Sequence, residues 1–150
     1  MPEYEKIWGK TLGSDEKVEF EFSIGSRYIK LGLIAWAIIS LPLLAAFGFG
    51  ILTFLIALFY FGFYLKKANA YAFTNKRVLI HKGWLSTQLT SIDYSKITDV
   101  FVQEPFFDRV ITHTGHIAIN TAGTTLHEGI LKHIESPYEL KRKLDSLKDK

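Results

Sequence analysis

Residues 31–65 read LGLIAWAIISLPLLAAFGFGILTFLIALFYFGFYL, 35 consecutive positions from Leu31 to Leu65 without an Asp, Glu, Lys, Arg or His. The 18 Lys+Arg and 15 Asp+Glu of the chain all fall outside this run. Within it only Gly32, Ser40, Pro42, Gly48, Gly50, Thr53 and Gly62 are not strictly apolar. A helix in the core of a soluble protein keeps a polar face, whereas about 18 or more uncharged apolar residues mark a membrane segment. The chain is therefore expected to sit in a lipid bilayer.

Length decides how many times it crosses. At roughly 1.5 Å per residue the run makes a helix of about 52 Å, too long for a hydrocarbon core of about 30 Å. Dividing it at Phe47-Gly48-Phe49-Gly50, where two glycines weaken the helix, predicts a hairpin of spans 28–46 and 51–67. Ile39 and Phe54 lie well inside these spans, and Pro42 is expected to kink the first. Helices suit a bilayer because their backbone polar groups pair internally. The turn carries only Phe47 and Phe49 as interfacial anchors, so a shallow re-entrant hairpin and a single tilted span are the alternatives. Arg27 and Lys30 precede the run, and Lys66 and Lys67 follow it. Under the positive-inside rule that places both termini in the cytoplasm, giving a two-span protein of the cell membrane. Residues 1–27 lack the short apolar core and small-residue cleavage site of a secretory signal.

Composition excludes several classes. A net charge of +3 over 150 residues is no basic face for nucleic acid. Zero cysteines rule out a disulfide framework, a thiolate metal site and a cysteine nucleophile.

Outside the apolar run the patterns are mostly those of strands. Residues 18–24 alternate apolar and polar strictly. Residues 70–73 and 77–82 flank the turn-prone Thr74-Asn75-Lys76, a hairpin signal. Further strands are predicted at 85–92, 97–103, 116–121 and 125–131, punctuated by Gly83, Pro105, Gly115 and Gly123. Residues 1–27 thus contribute a strand to a β domain otherwise spanning 68–150. A closing helix over 137–148 is marked by Ser136-Pro137-Tyr138-Glu139, which reads as a capping box with proline at the first helical position. Leu140, Leu144 and Leu147 form its apolar stripe. The fold class is a membrane α-helical hairpin plus a mainly-β barrel of about seven strands, capped by a C-terminal helix.

Tyr71-Ala72-Phe73-Thr74-Asn75-Lys76-Arg77-Val78-Leu79-Ile80, Ile92-Asp93-Tyr94-Ser95-Lys96-Ile97-Thr98-Asp99-Val100, Gly115-His116-Ile117-Ala118-Ile119 and the closing Ile134-Glu135-Ser136-Pro137 resemble the YdbS-like bacterial PH-domain family over roughly residues 14–148. The resemblance implies a pleckstrin-homology-like (PH-like) fold at the cytoplasmic face of a membrane, without catalytic activity and without an assigned ligand. Two positions depart from the family: Asp93 stands near a common proline, and Val110 and Ile111 replace a glycine expected soon after Arg109. Both loops are expected to differ locally.

Motifs for catalysis are absent: the chain has no phosphate-cradling Gly-rich loop with lysine, no G-x-S-x-G, no H-E-x-x-H and no dinucleotide fingerprint. No cofactor is expected. His113 and His116 flank a Thr-Gly turn and would need His81, His127, Asp108 or Glu128 to complete a metal site. Such histidines are ordinarily solvated, so no metal site is assigned. Asp93, Asp99, Glu104 and Asp108 fit strand ends and loops better than an acid–base pair. Arg27, Lys30, Lys66, Lys67, Lys76 and Arg77 form a candidate basic collar, serving topology or binding lipid headgroups. Arg77 can also take a partner carboxylate bidentately. Trp8 is placed to dip into the interface, and Trp84 to pack beside the Gly83 turn.

Two functions follow. The first is a non-enzymatic interaction module, held at the membrane by the hairpin, that recruits a protein partner or senses lipid headgroups. The second is an accessory subunit of a transport or channel-like assembly, with Gly32, Ala35, Ala45, Ala46 and Gly62 permitting close helix contacts. The expected partners are the bilayer and a membrane protein, not nucleic acid.

Overall fold

The computed structural model describes residues 4–122 and 129–149. Seven strands among them build two antiparallel sheets. β1 (Val18–Ser23), β2 (Asn69–Thr74), β3 (Arg77–Lys82) and β4 (Gln88–Asp93) lie in that order in the first. β5 (Ile97–Gln103), β6 (Thr114–Thr121) and β7 (Gly129–Glu135) form the second. The expected barrel is thus two stacked meanders. β4 begins three residues later than its apolar pattern suggests, because Gly83 turns the chain at φ +95 and the next residues complete the loop. The last strand lies four residues beyond the predicted 125–131, of which 125–128 fall outside the described residues.

The main core lies between the sheets, where Phe22, Tyr71, Phe73 and Ile80 of one face Ile117, Ile119 and Leu131 of the other. Helix α5 (Pro137–Lys148), the last in the chain, adds Leu140 and Leu144, with Leu147 half-buried, as its spacing predicts. Its expected capping box does not form. Ser136 has φ +49, because the chain leaves β7 in a sharp turn. A left-handed residue cannot also hold the extended geometry that aims an N-cap hydroxyl at first-turn amides. The Ser136 carbonyl instead accepts from the amides of Glu139 and Leu140, at 3.0 and 3.1 Å.

β2 alternates large and small residues, and the small side is also buried. The short helix α1 (Glu5–Trp8) lies over Ala70, Ala72 and Leu79, with Tyr4 and Trp8 filling the trough the alanines leave. Trp8 is 1% exposed, so the interfacial position expected for it is corrected. A large indole is the close-packed solution to two missing side chains.

Between β1 and β2 the chain makes a helical hairpin: α2 (Ser26–Phe47), then α3 (Gly50–Ala57), a π-helical segment Leu58–Tyr64 and α4 (Leu65–Ala68). The break falls at the expected glycines. Gly48 is left-handed at φ +69 and its amide donates to the Leu44 carbonyl. α2 continues as helix through Pro42. The two arms touch where side chains are smallest: a Cβ on Gly50 would stand 2.3 Å from the Ser40 carbonyl, and one on Gly32 would stand 2.3 Å from the Phe61 ring. Ser40 Oγ and Thr53 Oγ1 meet at 3.1 Å across the pair.

Alternation of antiparallel strands puts the β3–β4 and β5–β6 connections at the same end of the domain as the hairpin. The Gly83 amide donates to the Ala68 carbonyl at 2.8 Å there. At the opposite end the β2–β3 turn meets the β4–β5 link, with the Tyr94 amide donating to the Lys76 carbonyl at 3.4 Å.

Candidate functional site

At the root of the hairpin polar side chains tie both helical arms to the β domain. Ser23 Oγ donates to the carbonyls of Lys66 and Asn69, tying β1 to the returning arm. On the other arm Glu135, at the end of β7, accepts from Ser26 Oγ at 2.9 Å and from the Arg27 amide at 3.2 Å. A carboxylate here satisfies first-turn donors and faces the positive end of α2. Burial by itself would raise the Glu135 carboxyl, but these hydrogen bonds outweigh it and hold it below the usual range. Gly25 lets the strand pass: a Cβ there would lie 2.8 Å from both Glu135 and Thr114 side chains.

Beside this root Tyr28 stacks on His133 at 3.9 Å between ring centroids. Asp108 Oδ2 lies 3.3 Å from both His116 Nε2 and His133 Nδ1. These three ligand atoms lie within 4.8 Å of one another, a spacing a divalent cation accepts. The hydrogen bonds argue otherwise. The His133 amide donates to His116 Nδ1 at 3.1 Å, so that nitrogen carries a lone pair and the neutral ring keeps its proton on Nε2, facing Asp108. A metal on Nε2 would force a proton onto Nδ1 against the amide. Burial, offset in part by Asp108, lowers both histidines below their ordinary value, which keeps them neutral near neutral pH. The cluster is a joint between β6, β7, the 104–113 loop and α2.

From their spacing alone, His113 is the candidate neighbour of His116. His113 is instead exposed, left-handed at φ +53, and outside the cluster, because Thr114 and Gly115 are the first residues of β6 rather than a turn that would fold His113 back onto His116. The neighbour of His116 is His133, supplied by the β6–β7 register. His81 belongs to the first sheet, and His127 and Glu128 lie outside the described residues. Asp93 pairs with Lys96 at 3.3 Å rather than with another acid.

The collar divides. Arg27 and Lys30 lie at the start of α2, and Lys66 and Lys67 in α4, so these four surround the hairpin root. Lys67 Nζ sits 4.2 Å from the Phe63 ring centroid. Lys76 and Arg77 do not belong with them. Six residues of β2 separate them from the helix end, about 20 Å at roughly 3.3 Å per residue. Arg77 is already engaged: Nη2 and Nε meet the two oxygens of Glu16 at 2.6 and 2.8 Å, and Nη2 also donates to the Thr11 carbonyl. The bidentate carboxylate foreseen for Arg77 is therefore the chain's own. Those bonds chiefly bring Glu16 down to about 2, against its burial and with help from Thr74 and Gly13.

Next to the root a groove of about 350 Å³ opens between β1 and α5, lined among others by Phe20, Phe22, Lys66, Glu139 and Lys143. Lys143 Nζ stands 3.4 Å over the Phe20 ring. β1 is an edge of the first sheet, so the groove borders strand backbone.

Two antiparallel sheets closed by a terminal helix define a PH-like domain. The chain belongs to the bacterial PH domain family, which matches residues 22–149. It is similar in fold to a DUF1696-family protein with a pleckstrin-homology domain from Shewanella loihica. The TM-score is 0.53 at 13% identity, covering 97% of this chain and 94% of that one. It is likewise similar to a pleckstrin homology domain from Shewanella amazonensis, with a TM-score of 0.57 at 8% identity, covering 99% and 98%. At such identities the likeness establishes the fold alone. No curated protein matches the chain.

Proposed function

We propose that this bacterial PH-domain protein is a YdbS-like, non-enzymatic interaction module anchored at the cytoplasmic face of the cell membrane. Its helical hairpin crosses the bilayer twice, both termini are cytoplasmic, and the β domain recruits a protein partner or senses lipid headgroups. One observation carries the reading: the helical stretches Ser26–Ala45 and Gly50–Ala68 are 20 and 19 residues long and strongly apolar between their charged ends, yet only 11% and 17% of their most apolar windows are buried. The core helix of a soluble protein would be mostly covered. Here Ile34, Ile38, Leu41, Ile51, Leu55 and Ile56 point outward, while the β domain has a core of its own. Lipid is the solvent for which such a surface costs nothing. At about 1.5 Å per residue each stretch also measures about 30 Å, the thickness of the hydrocarbon layer.

Arg27, Lys30, Lys66 and Lys67 then act as topology signals at anionic headgroups. The groove beside β1, an outer strand of the first sheet, is the surface for a protein segment, since an outer strand offers its backbone to an added strand. The accessory-subunit alternative draws on Gly62, where a Cβ would meet nothing within 4 Å, leaving room for a foreign helix.

Cysteines introduced singly at the exposed Ser14 and Ser146 of this cysteine-free chain test the topology. Both are expected to react with an impermeant reagent only from the cytoplasmic side, and opposite-side reaction rejects the hairpin. Ile39→Arg, which costs about 2.5–3.5 kcal/mol at a span centre, is expected to reduce membrane retention sharply. Unchanged fractionation would reject the first span.

A further inference from the structure

Two loops at the hairpin end of the β domain are apolar and exposed, and each lies against a different helical arm. The β3–β4 loop carries Trp84, which packs on Phe59 and Phe63 at 5.9 and 5.4 Å between centroids. Those two residues precede Ala68 by nine and five positions, so at about 1.5 Å per residue Trp84 reaches roughly 8–13 Å beyond the root. Leu85 beside it is 90% exposed. On the other side Ile111 of the β5–β6 loop lines one open groove with Leu31, Ile34 and Ile38 of α2, residues about 8 Å or more beyond the root. Phe107 is 71% exposed, and Phe106, Val110 and Ile111 are exposed with it.

Six large apolar side chains left in water at one end of a small domain, level with the helical surface, demand a cover. Charge indicates its nature. The acid within the run Phe106–Ile111, Asp108, is turned inward to His116 and His133, while the basic Arg109 is left exposed. An apolar edge with its carboxylate withdrawn and a cation outside matches the interfacial layer of a bilayer with anionic headgroups.

We propose that the β domain is seated in the membrane interface by these two loops, Trp84–Leu85 on one side of the hairpin and Phe106–Ile111 on the other. This rests on the hairpin spanning the bilayer, and it adds what the hairpin alone leaves free, the domain's orientation. Held from both sides, the domain cannot swing about its two short connections. Lys76 and the β2–β3 turn are fixed facing the cytoplasm, and the groove beside β1 stays close to the headgroup layer.

The test uses the full chain with one cysteine at a time, at Ile39, Lys76, Leu85 or Phe107, each labelled with an environment-sensitive fluorophore. The protein is reconstituted in phosphatidylcholine vesicles containing phosphatidylglycerol and lipids that carry a shallow nitroxide quencher. Emission at Leu85 and Phe107 is expected to fall about twofold or more, as for groups buried at the headgroup–acyl boundary, with Lys76 unchanged. If a nitroxide placed deep in the acyl region quenches Ile39 while either Leu85 or Phe107 behaves like Lys76 toward the shallow one, the two-sided seating is overturned and the anchor stands. If Ile39 escapes a quencher placed deep in the acyl region, the spanning hairpin fails and the seating fails with it. Because the labelled side chains at Leu85 and Phe107 are mostly exposed, the replacements leave the core intact, which retained thermal unfolding verifies.

Discussion

Glu16 and Arg77 stand 61 residues apart and make a close ion pair, at 2.6 Å. The Glu16 side chain is 3% exposed and Arg77 28%. Removing one partner leaves an uncompensated charge in a nearly dry place, so Arg77→Leu is expected to destabilise the domain by about 2–4 kcal/mol. Denaturation of the purified chain reads this out. The acid side follows from linkage. Glu16 lies below its ordinary 4.5, at about 2, so its contribution is complete above 4.5 and is lost as pH falls toward 2. Glu16→Gln should remove that part of the acid dependence. A variant as acid-sensitive as the parent would show that the pair contributes no linkage.

Within the helical hairpin, close approach at Gly50 sets the spacing of the two arms. A Cβ there meets Ser40 backbone and the Leu44 side chain at 2.3 and 2.5 Å, and neither the backbone nor a Cβ can rotate away. Gly50→Val is expected to part the arms and cost about 1–3 kcal/mol of packing, the usual penalty for overfilling. Cysteines replacing Ser40 and Thr53, whose hydroxyls now stand 3.1 Å apart, report the separation. They should oxidise to a disulfide readily in the parent background and slowly with Gly50→Val. Gly62→Val, where the space is open, should leave the rate unchanged. Equal rates in all three would mean the arms are held by something other than this contact.

The joint between hairpin and domain adds a response to mild acid at the scale of the whole molecule. His116 and His133 both lie below the ordinary 6.5, chiefly through burial. An unfolded chain therefore takes up protons before the folded one does. Stability from the joint is complete above about 6.5 and is lost as pH falls through the lowered values. The unfolding midpoint is expected to drop on mild acidification. His133→Asn preserves the left-handed backbone at φ +49, which Asn tolerates, and removes one titrating ring. Its midpoint should fall less steeply over the same range. A slope equal to the parent's would place the proton uptake elsewhere.

Much of this architecture is legible in the sequence because it depends on local pattern. An uncharged run of 35 residues with two glycines near its middle is a helical hairpin whatever surrounds it, since length, hydropathy and glycine's freedom act on neighbours in the chain. Alternation at 18–24 and the leucine stripe of the closing helix are local in the same sense. What escaped the sequence depends on partners far apart in the chain. Whether Arg77 is free or bound turns on Glu16, and which histidine meets His116 turns on the register of β6 with β7. Trp8 becomes core because Ala70 and Ala72 leave a trough on a sheet face that no pattern near Trp8 foretells. Lys76 looks adjacent to Lys67 on paper, but a strand of six residues carries it to the far end of the domain. Charge, apolar length and periodicity act along the chain and can be read there, whereas desolvation and hydrogen-bond pairing are settled only when the folded backbone chooses the neighbours.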